Sequence, residues 1–108
     1  MRVCHCRMCQ LALGAAFNAR VLMRLSAVTV SGPVGRFHSS PALVRGFCTR
    51  CGTSLFTERT GAGVIGLTCG SLDQPGTLRP TEHIWTSSKQ EWLTLADGLP
   101  QYPEGAPA

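Results

Sequence analysis

The sequence predicts a small, mainly β domain with one short helix or turn, for three reasons. The chain has 108 residues, the usual length of a single domain. Its 12 Gly and 7 Pro favour short strands and turns over long helices. Its 6 cysteines fall mostly into two tight clusters, which is typical of small domains that a bound metal ion stabilises. We expect one domain over residues 1–108, with residues 100–108 as an extended tail whose last residues are loose.

The helix is predicted near the start of the chain and strands over the rest. Residues 7–15 carry good helix formers, and Gly14 is placed to end the helix. Apolar or alternating runs predict strands at residues 17–25, 28–30, 34–39, 43–47, 54–57, 63–69, 83–86 and 92–95. Ser40-Pro41 joins two of these runs into a predicted hairpin. The aromatic core candidates are Phe17, Phe47, Trp85 and Trp92.

The distribution of charged residues argues against a nucleic-acid partner, and the distribution of apolar residues argues against a membrane. The net charge is +4, but the basic residues are scattered, which indicates a solvated surface that still attracts a small anion. No run approaches the ~20 apolar residues that span a bilayer. The start of the chain lacks the apolar segment of a signal peptide. We therefore expect a cytoplasmic protein, in which clustered cysteines are more often metal ligands than disulfides.

Two cysteine clusters predict a zinc protein. The first is a C-x-C-x-x-C arrangement and the second a C-x-x-C followed by Gly52, whose freedom to adopt a left-handed backbone suits the turn. The x-x spacing lets two thiolates converge on one ion. Inert buried thiols explain the clustering poorly, and a thioredoxin-like redox pair lacks its βαβ setting. The predicted zinc ligands are Cys4, Cys6, Cys9, Cys48 and Cys51.

The number of zinc sites stays open at this point. The four thiolates of Cys6, Cys9, Cys48 and Cys51 would make one structural site, although the gap between the pairs exceeds the usual ribbon spacing. Alternatively, Cys4, Cys6 and Cys9 form a site whose fourth position is open, which is the pattern of catalytic zinc.

The other cysteine and the histidines favour structural roles. Cys69 falls in a predicted buried strand and is expected to be an inert core thiol. His5 is expected to point outward, as alternate residues of an extended segment do. His83 is expected to pack or to donate and accept hydrogen bonds rather than bind metal. His38 is expected at the surface or half-buried.

The motifs around the clusters resemble those of the glutathione-dependent formaldehyde-activating enzymes, a family that includes centromere protein V. The matching residues are Cys4–Gln10 with Gly14–Phe17, Arg45–Thr53, Gly70–Asp73 with Pro75, Pro80 and His83–Trp85, and finally Trp92 and Leu99-Pro100. These motifs follow the family's order and span nearly the whole chain.

The resemblance implies a folded-sheet β-tent with two zinc sites. Cys4, Cys6 and Cys9 would hold a zinc with an open position, and Cys48 and Cys51 would supply half of a structural site. The family takes the other half from an upstream Cys-x-Cys hairpin, which this sequence does not contain. We therefore expect a defective structural site, in a chain that lacks an N-terminal segment or has diverged there.

By resemblance, the function is that of a zinc-dependent carbon–sulfur lyase that acts on an adduct of glutathione and formaldehyde. The implied partner is a small-molecule thiol such as glutathione, and no second general base stands out in the sequence. The alternative is a non-catalytic zinc-binding module for a protein partner or nucleic acid. A further alternative is an inactive fragment of the family.

Overall fold

The computed structural model describes residues 1–107 and is mainly β, which confirms the predicted fold class. Within these residues it contains seven strands and one α-helix, connected by loops and short 3-10 turns. The strands are β1 (Arg2–Cys4), β2 (Asn18–Arg24), β3 (Val34–Ser40), β4 (Leu43–Cys48), β5 (Ser54–Arg59), β6 (Val64–Thr68) and β7 (Glu82–Ile84), and the helix is α1 (Arg7–Leu13). None of the helices in the described part of the chain has the length and apolar character needed to cross a bilayer.

The chain divides into two compact units. The first comprises Met1–Arg20 and Gly76–Ala108, and the second comprises Val21–Pro75. The prediction of one domain over the whole chain stays a prediction.

The first unit is built around β1, a strand that the sequence analysis did not predict. Cys4 pairs with Asn18 of β2 in antiparallel register and with Ile84 of β7 in parallel register. Cys4 and Ile84 are buried together with Cys9. The first cysteine cluster is therefore built into the core of this unit.

The tail runs beside β7 through backbone hydrogen bonds. The His83 N–H donates to the Pro100 carbonyl at 2.9 Å, and the Tyr102 N–H donates to the His83 carbonyl at 2.9 Å. The Trp85 N–H then reaches the Glu104 carbonyl at 2.8 Å. The predicted looseness of the end falls partly on Ala108, which lies outside the described residues.

Helix α1 ends where the sequence predicted. Gly14 follows the last turn with a φ of 60°, and its N–H donates to the Gln10 carbonyl. Because glycine has no Cβ, it takes this left-handed conformation without strain. At the other end, the side chain of Cys6 caps the helix.

The second unit contains the predicted hairpin, formed by β3 and β4, followed by the antiparallel neighbours β5 and β6. Ile65 of β6 is fully buried and Phe56 of β5 is 4% exposed. The strand predicted at residues 28–30 is wrong, because that stretch follows a 3-10 turn and enters a loop. The strand predicted at residues 92–95 is also wrong, since those residues lie in irregular structure.

The four aromatic core candidates are not in the core. Exposure is 37% for Phe17, 38% for Phe47, 38% for Trp85 and 70% for Trp92. In the case of Phe47, the physical reason is its place in the sheet: it pairs with Gly35 of β3, and its ring covers the space where a Cβ on that glycine would lie. The ring therefore packs across the sheet surface while one side stays in solvent.

Candidate metal centre

Three cysteine sulfurs of the first cluster converge in space. The Sγ atoms of Cys4, Cys6 and Cys9 all lie within 4.8 Å of one another. Cys4 and Cys9 are each 2% exposed, and Cys6 is half-buried. Among the described residues, no other group of three or more cysteine, histidine or carboxylate side chains comes together in this way.

The local fold explains the convergence. Cys4 is the last residue of β1, Cys6 caps α1, and Cys9 lies one turn into the helix. The Cys9 N–H points at the Cys6 Sγ at 3.4 Å, and the side-chain amide of Asn18 lies 3.9 Å from the Cys9 Sγ. Donors directed at sulfur stabilise a thiolate, so the turn is suited to hold charged ligands.

The electrostatics of the cluster favour a bound cation. A hydrogen bond with the Cys9 side chain and burial raise the pKa of the Cys4 thiol above its ordinary value. Three thiolates this close together repel one another unless a positive charge lies between them. Thiolate sulfur is also the donor preferred by Zn²⁺ and other soft metal ions. The three residues therefore fit a metal ion.

The second pair of cysteines forms the expected turn in the other unit. Gly52 has a φ of 79°, and its N–H donates to the Cys48 carbonyl at 2.8 Å. The Cys51 thiol is exposed and lies 3.0 Å from the Thr53 hydroxyl, a hydrogen bond that lowers the pKa of Cys51. Neither cysteine belongs to a three-residue metal group within residues 1–107. Their role as zinc ligands stays a prediction.

Two residues behave differently from their predictions, and two as expected. Cys69 is half-buried in a 3-10 turn just after β6, so it is not the buried strand residue expected. His5 does not point outward, because its side chain is completely buried. His38 is exposed on β3, and His83 is a buried hydrogen-bonding residue, as predicted.

His5 belongs to a row of three side chains that the sequence analysis did not recognise. Its Nε2 lies 2.9 Å from the Nδ1 of His83, whose Nε2 lies 2.7 Å from an Asp97 carboxylate oxygen. Burial lowers the pKa of His5, and the bond to His83 lowers the pKa of Asp97. The spacing of these residues in the sequence does not predict that they interact. Asp97 comes close to His83 only because of the path that the tail segment follows.

Gln10 fixes the helix next to the cluster through four hydrogen bonds. Its side-chain amide donates to the carbonyls of His5 at 2.8 Å and Ser88 at 3.0 Å. Its side-chain oxygen accepts from Arg7 at 2.6 Å and from Gln90 at 2.8 Å. Gln10 is 3% exposed, and its bond to the His5 carbonyl is buried while the other three are partly buried.

We expect Gln10→Glu to lower the free energy of unfolding by about 1–3 kcal/mol, the usual effect of leaving buried polar groups unpaired. The substitution keeps the shape of the side chain but turns a carboxylate oxygen toward two carbonyl oxygens. Urea unfolding measures the effect, and Gln74→Glu at an exposed position of the other unit is the control. Equal stability of both variants would contradict the assigned role of Gln10.

A cavity of about 400 Å³ opens beside the same helix. The residues that line it include Arg7, Gln10, Leu11, Gly14, Gln90 and Trp92. Leu11 and Trp92 are 72% and 70% exposed and give it apolar walls. Arg7 forms no ion pair with any residue of the described chain, and its guanidinium donates to the Gln10 side-chain oxygen.

Comparison with protein families gives one match. The family model described as glutathione-dependent formaldehyde-activating enzyme matches residues 1–88, which include all five predicted zinc ligands. No curated protein matches the chain significantly.

Proposed function

The chain belongs to the family of glutathione-dependent formaldehyde-activating enzymes, and on that premise we propose that it is a zinc-dependent carbon–sulfur lyase. Its substrate would be the adduct of glutathione and formaldehyde. The observation that carries the proposal is the set of three sulfurs, from Cys4, Cys6 and Cys9, within 4.8 Å of one another.

These three cysteines would hold the zinc ion. When bound there, zinc supplies a Lewis acid with an exchangeable position that lowers the pKa of a coordinated thiol. Two of the ligands are buried, which keeps water away from the sulfur side of the site and strengthens its electrostatic interactions. The Cys-x-Cys-x-x-Cys segment is held on both sides by β1 and α1.

The reaction itself is an addition to a carbonyl and its reversal. In the forward direction the thiol sulfur bonds to the aldehyde carbon, and the thiol proton is transferred to the aldehyde oxygen. In the reverse direction the carbon–sulfur bond breaks, the hydroxyl proton returns to sulfur, and free thiol and aldehyde are released. Neither direction needs an oxidant or a reductant.

The cavity beside α1 supports a peptide thiol as substrate. Glutathione carries two carboxylates, and Arg7 offers a guanidinium that Gln10 orients and that forms no ion pair within the described residues. A planar guanidinium matches a carboxylate in a two-pronged hydrogen bond. Arg7 belongs to α1, the helix that also carries Cys9. We propose that Arg7 binds a carboxylate of glutathione.

We expect Arg7→Ala to raise KM for glutathione about 10- to 100-fold with little change in kcat, because hydrogen bonds between charged groups contribute about 1.5–3 kcal/mol to binding. Steady-state kinetics at several glutathione concentrations measures the change. Arg24→Ala, which removes an exposed arginine of the other unit, is the control and should leave KM unchanged. An equal effect of both variants would point to net charge instead of a carboxylate site.

The function is tested by exchange spectroscopy on a mixture of glutathione and formaldehyde at equilibrium. Zinc-loaded protein should speed the exchange between free formaldehyde and the adduct, and protein stripped by a chelator should not. The same assay with 2-mercaptoethanol tests the preference for the peptide thiol. No acceleration by protein with a full complement of zinc would show that the proposed activity is wrong.

A further inference from the structure

The tail packs against the buried residues of the first cysteine cluster. Cys4, Cys9 and Ile84 are buried together, and the half-buried apolar residues that pack on them are Cys6, Tyr102 and Ala106. Two of these three, Tyr102 and Ala106, belong to the tail, so the tail forms part of the boundary between the cysteines and solvent. Tyr102 has the largest side chain of the three and contributes most to this boundary.

The register of the strands explains why Tyr102 faces the cysteines. Cys4 pairs with Ile84 of β7. One residue earlier in β7, His83 pairs with Gln101 of the tail. Because successive residues of an extended segment point to opposite faces, Tyr102 lies on the same face as Ile84 and Cys4. The phenol ring therefore shares one face of the sheet with the cysteine cluster.

Hydrogen bonds fix the backbone of Tyr102 on both sides. Its N–H donates to the His83 carbonyl at 2.9 Å, and its carbonyl accepts from the N–H and the hydroxyl of Thr86, both at 3.1 Å. The next carbonyl, of Pro103, accepts from the Ser87 hydroxyl at 2.6 Å. A side chain on a backbone fixed in this way keeps its place beside the cluster. The match to the family model ends at residue 88, so the family assignment gives Tyr102 no role.

We propose that Tyr102 is a specificity-determining residue whose ring covers one side of the metal site, shields the metal from water and limits the size of the group that fits beside the sulfurs. The size limit rests on the proposed function, because that group is the hydroxymethyl group of the glutathione adduct. Every larger aldehyde adds at least one methyl group at the same carbon. Cys4 and Cys9 are each 2% exposed, so an added methyl group has little room beside them unless the ring moves. The ring thereby favours formaldehyde over larger aldehydes.

The first test uses the wild-type protein without any substrate. The chain contains 1 tyrosine, so a carbon-13 label in tyrosine rings reports on Tyr102 alone. We expect its ring resonances to be displaced and broadened when paramagnetic Co²⁺ replaces Zn²⁺. Cys48→Ser should keep this displacement, and Cys4→Ser should lose it, because the ion that causes it is bound by the first cluster. Ring resonances that are the same in the cobalt-loaded and zinc-loaded proteins would overturn the proposal.

The second test measures how fast zinc passes from the protein to a coloured chelator. In Tyr102→Ala we expect this transfer to be about 10- to 100-fold faster, as for other changes in the surroundings of a bound metal. Tyr102→Phe keeps the ring and should release zinc at the wild-type rate. Gln101→Ala is the matched control, because this exposed neighbour in the tail points to the other face of the sheet. A wild-type rate in Tyr102→Ala would show that the ring does not shield the metal.

The third test compares formaldehyde with acetaldehyde, each mixed with glutathione, by the acceleration of exchange over the rate without protein. The wild type should favour formaldehyde by about 10-fold or more, the usual effect of one extra carbon in a packed site. Tyr102→Ala should bring this ratio close to one, and Tyr102→Phe should keep it. An unchanged ratio in Tyr102→Ala would overturn the assigned selectivity. The expected cobalt and chelator results without acceleration for either aldehyde would instead count against the proposed function and support the shielding by Tyr102.

Discussion

Replacing Cys4 by serine is expected to remove zinc from the protein and to abolish its activity. Zinc content should fall from about one ion per chain to nearly none, because a serine hydroxyl stays protonated and two thiolates bind zinc far more weakly than a complete set. Elemental analysis of purified protein gives the zinc content, and formaldehyde exchange gives the activity. Circular dichroism checks that the strands are retained, since Cys4 belongs to a buried cluster.

Cys48→Ser separates the two arrangements of zinc ligands that the sequence left open. If the first cluster binds zinc by itself, this variant should keep about one ion per chain and its activity. Loss of zinc in Cys48→Ser with zinc retained in Cys4→Ser would mean the single four-thiolate site of Cys6, Cys9, Cys48 and Cys51, and the proposed catalytic role would be wrong. Loss of zinc in both variants would also contradict it, because the first cluster would then not bind zinc by itself. Cys69→Ser, at a half-buried cysteine outside both clusters, is the control for replacing any cysteine.

Replacing Gly46 by valine is expected to lower the free energy of unfolding by about 3 kcal/mol, near the upper end for overpacking. Gly46 pairs with Phe56 of the neighbouring strand, and a Cβ at this position would overlap the Phe56 ring. Phe56 is 4% exposed, so its ring has little room to move. By strand propensity alone, valine would be favoured over glycine. A decrease in the free energy of unfolding would therefore be due to the overlap and not to strand propensity. Urea unfolding measures this free energy.

A double-mutant cycle makes the Gly46 prediction specific. In a Phe56→Ala background the added side chain meets no ring, so the valine substitution should be much less destabilising there. Gly61→Ala is the control, because a Cβ at that glycine would meet nothing within 4 Å. An undiminished effect in the Phe56→Ala background would show that the ring is not the cause.

Local features of the sequence were sufficient for much of the fold. The helix ending before Gly14 and the hairpin around Ser40-Pro41 were predicted correctly, because capping and turn chemistry depend on neighbours along the chain. The convergence of Cys4, Cys6 and Cys9 also follows from spacing, since the strand end and the first helical turn bring nearby residues together. Short strands without a distinctive pattern were less predictable: β1 was missed, and residues 28–30 and 92–95 were assigned strands that they do not form.

The burial and contacts of side chains were harder to predict from the sequence than the helix and strands. The four aromatic residues that the sequence assigned to the core lie partly in solvent. Phe47 is in a strand, where register decides which face it occupies, and the other three lie outside the strands. Phe47 lies over Gly35, and the buried Phe56 lies over Gly46, so each ring covers a glycine of the preceding strand. Likewise, nothing near His5 in the sequence indicates that it is buried, since its partners His83 and Asp97 come from near the end of the chain.

The sequence by itself therefore determined the fold class, the family and the cysteine cluster, all of which depend on residue types at short, fixed spacings. The tertiary structure alone decided the burial of His5, its hydrogen-bonded row to Asp97 and the place of Arg7 at the edge of a cavity. The physical reason is that a hydrogen bond or a cavity needs particular atoms at particular distances. Pairing of β1 with β7, more than 70 residues away, brings His5 to His83.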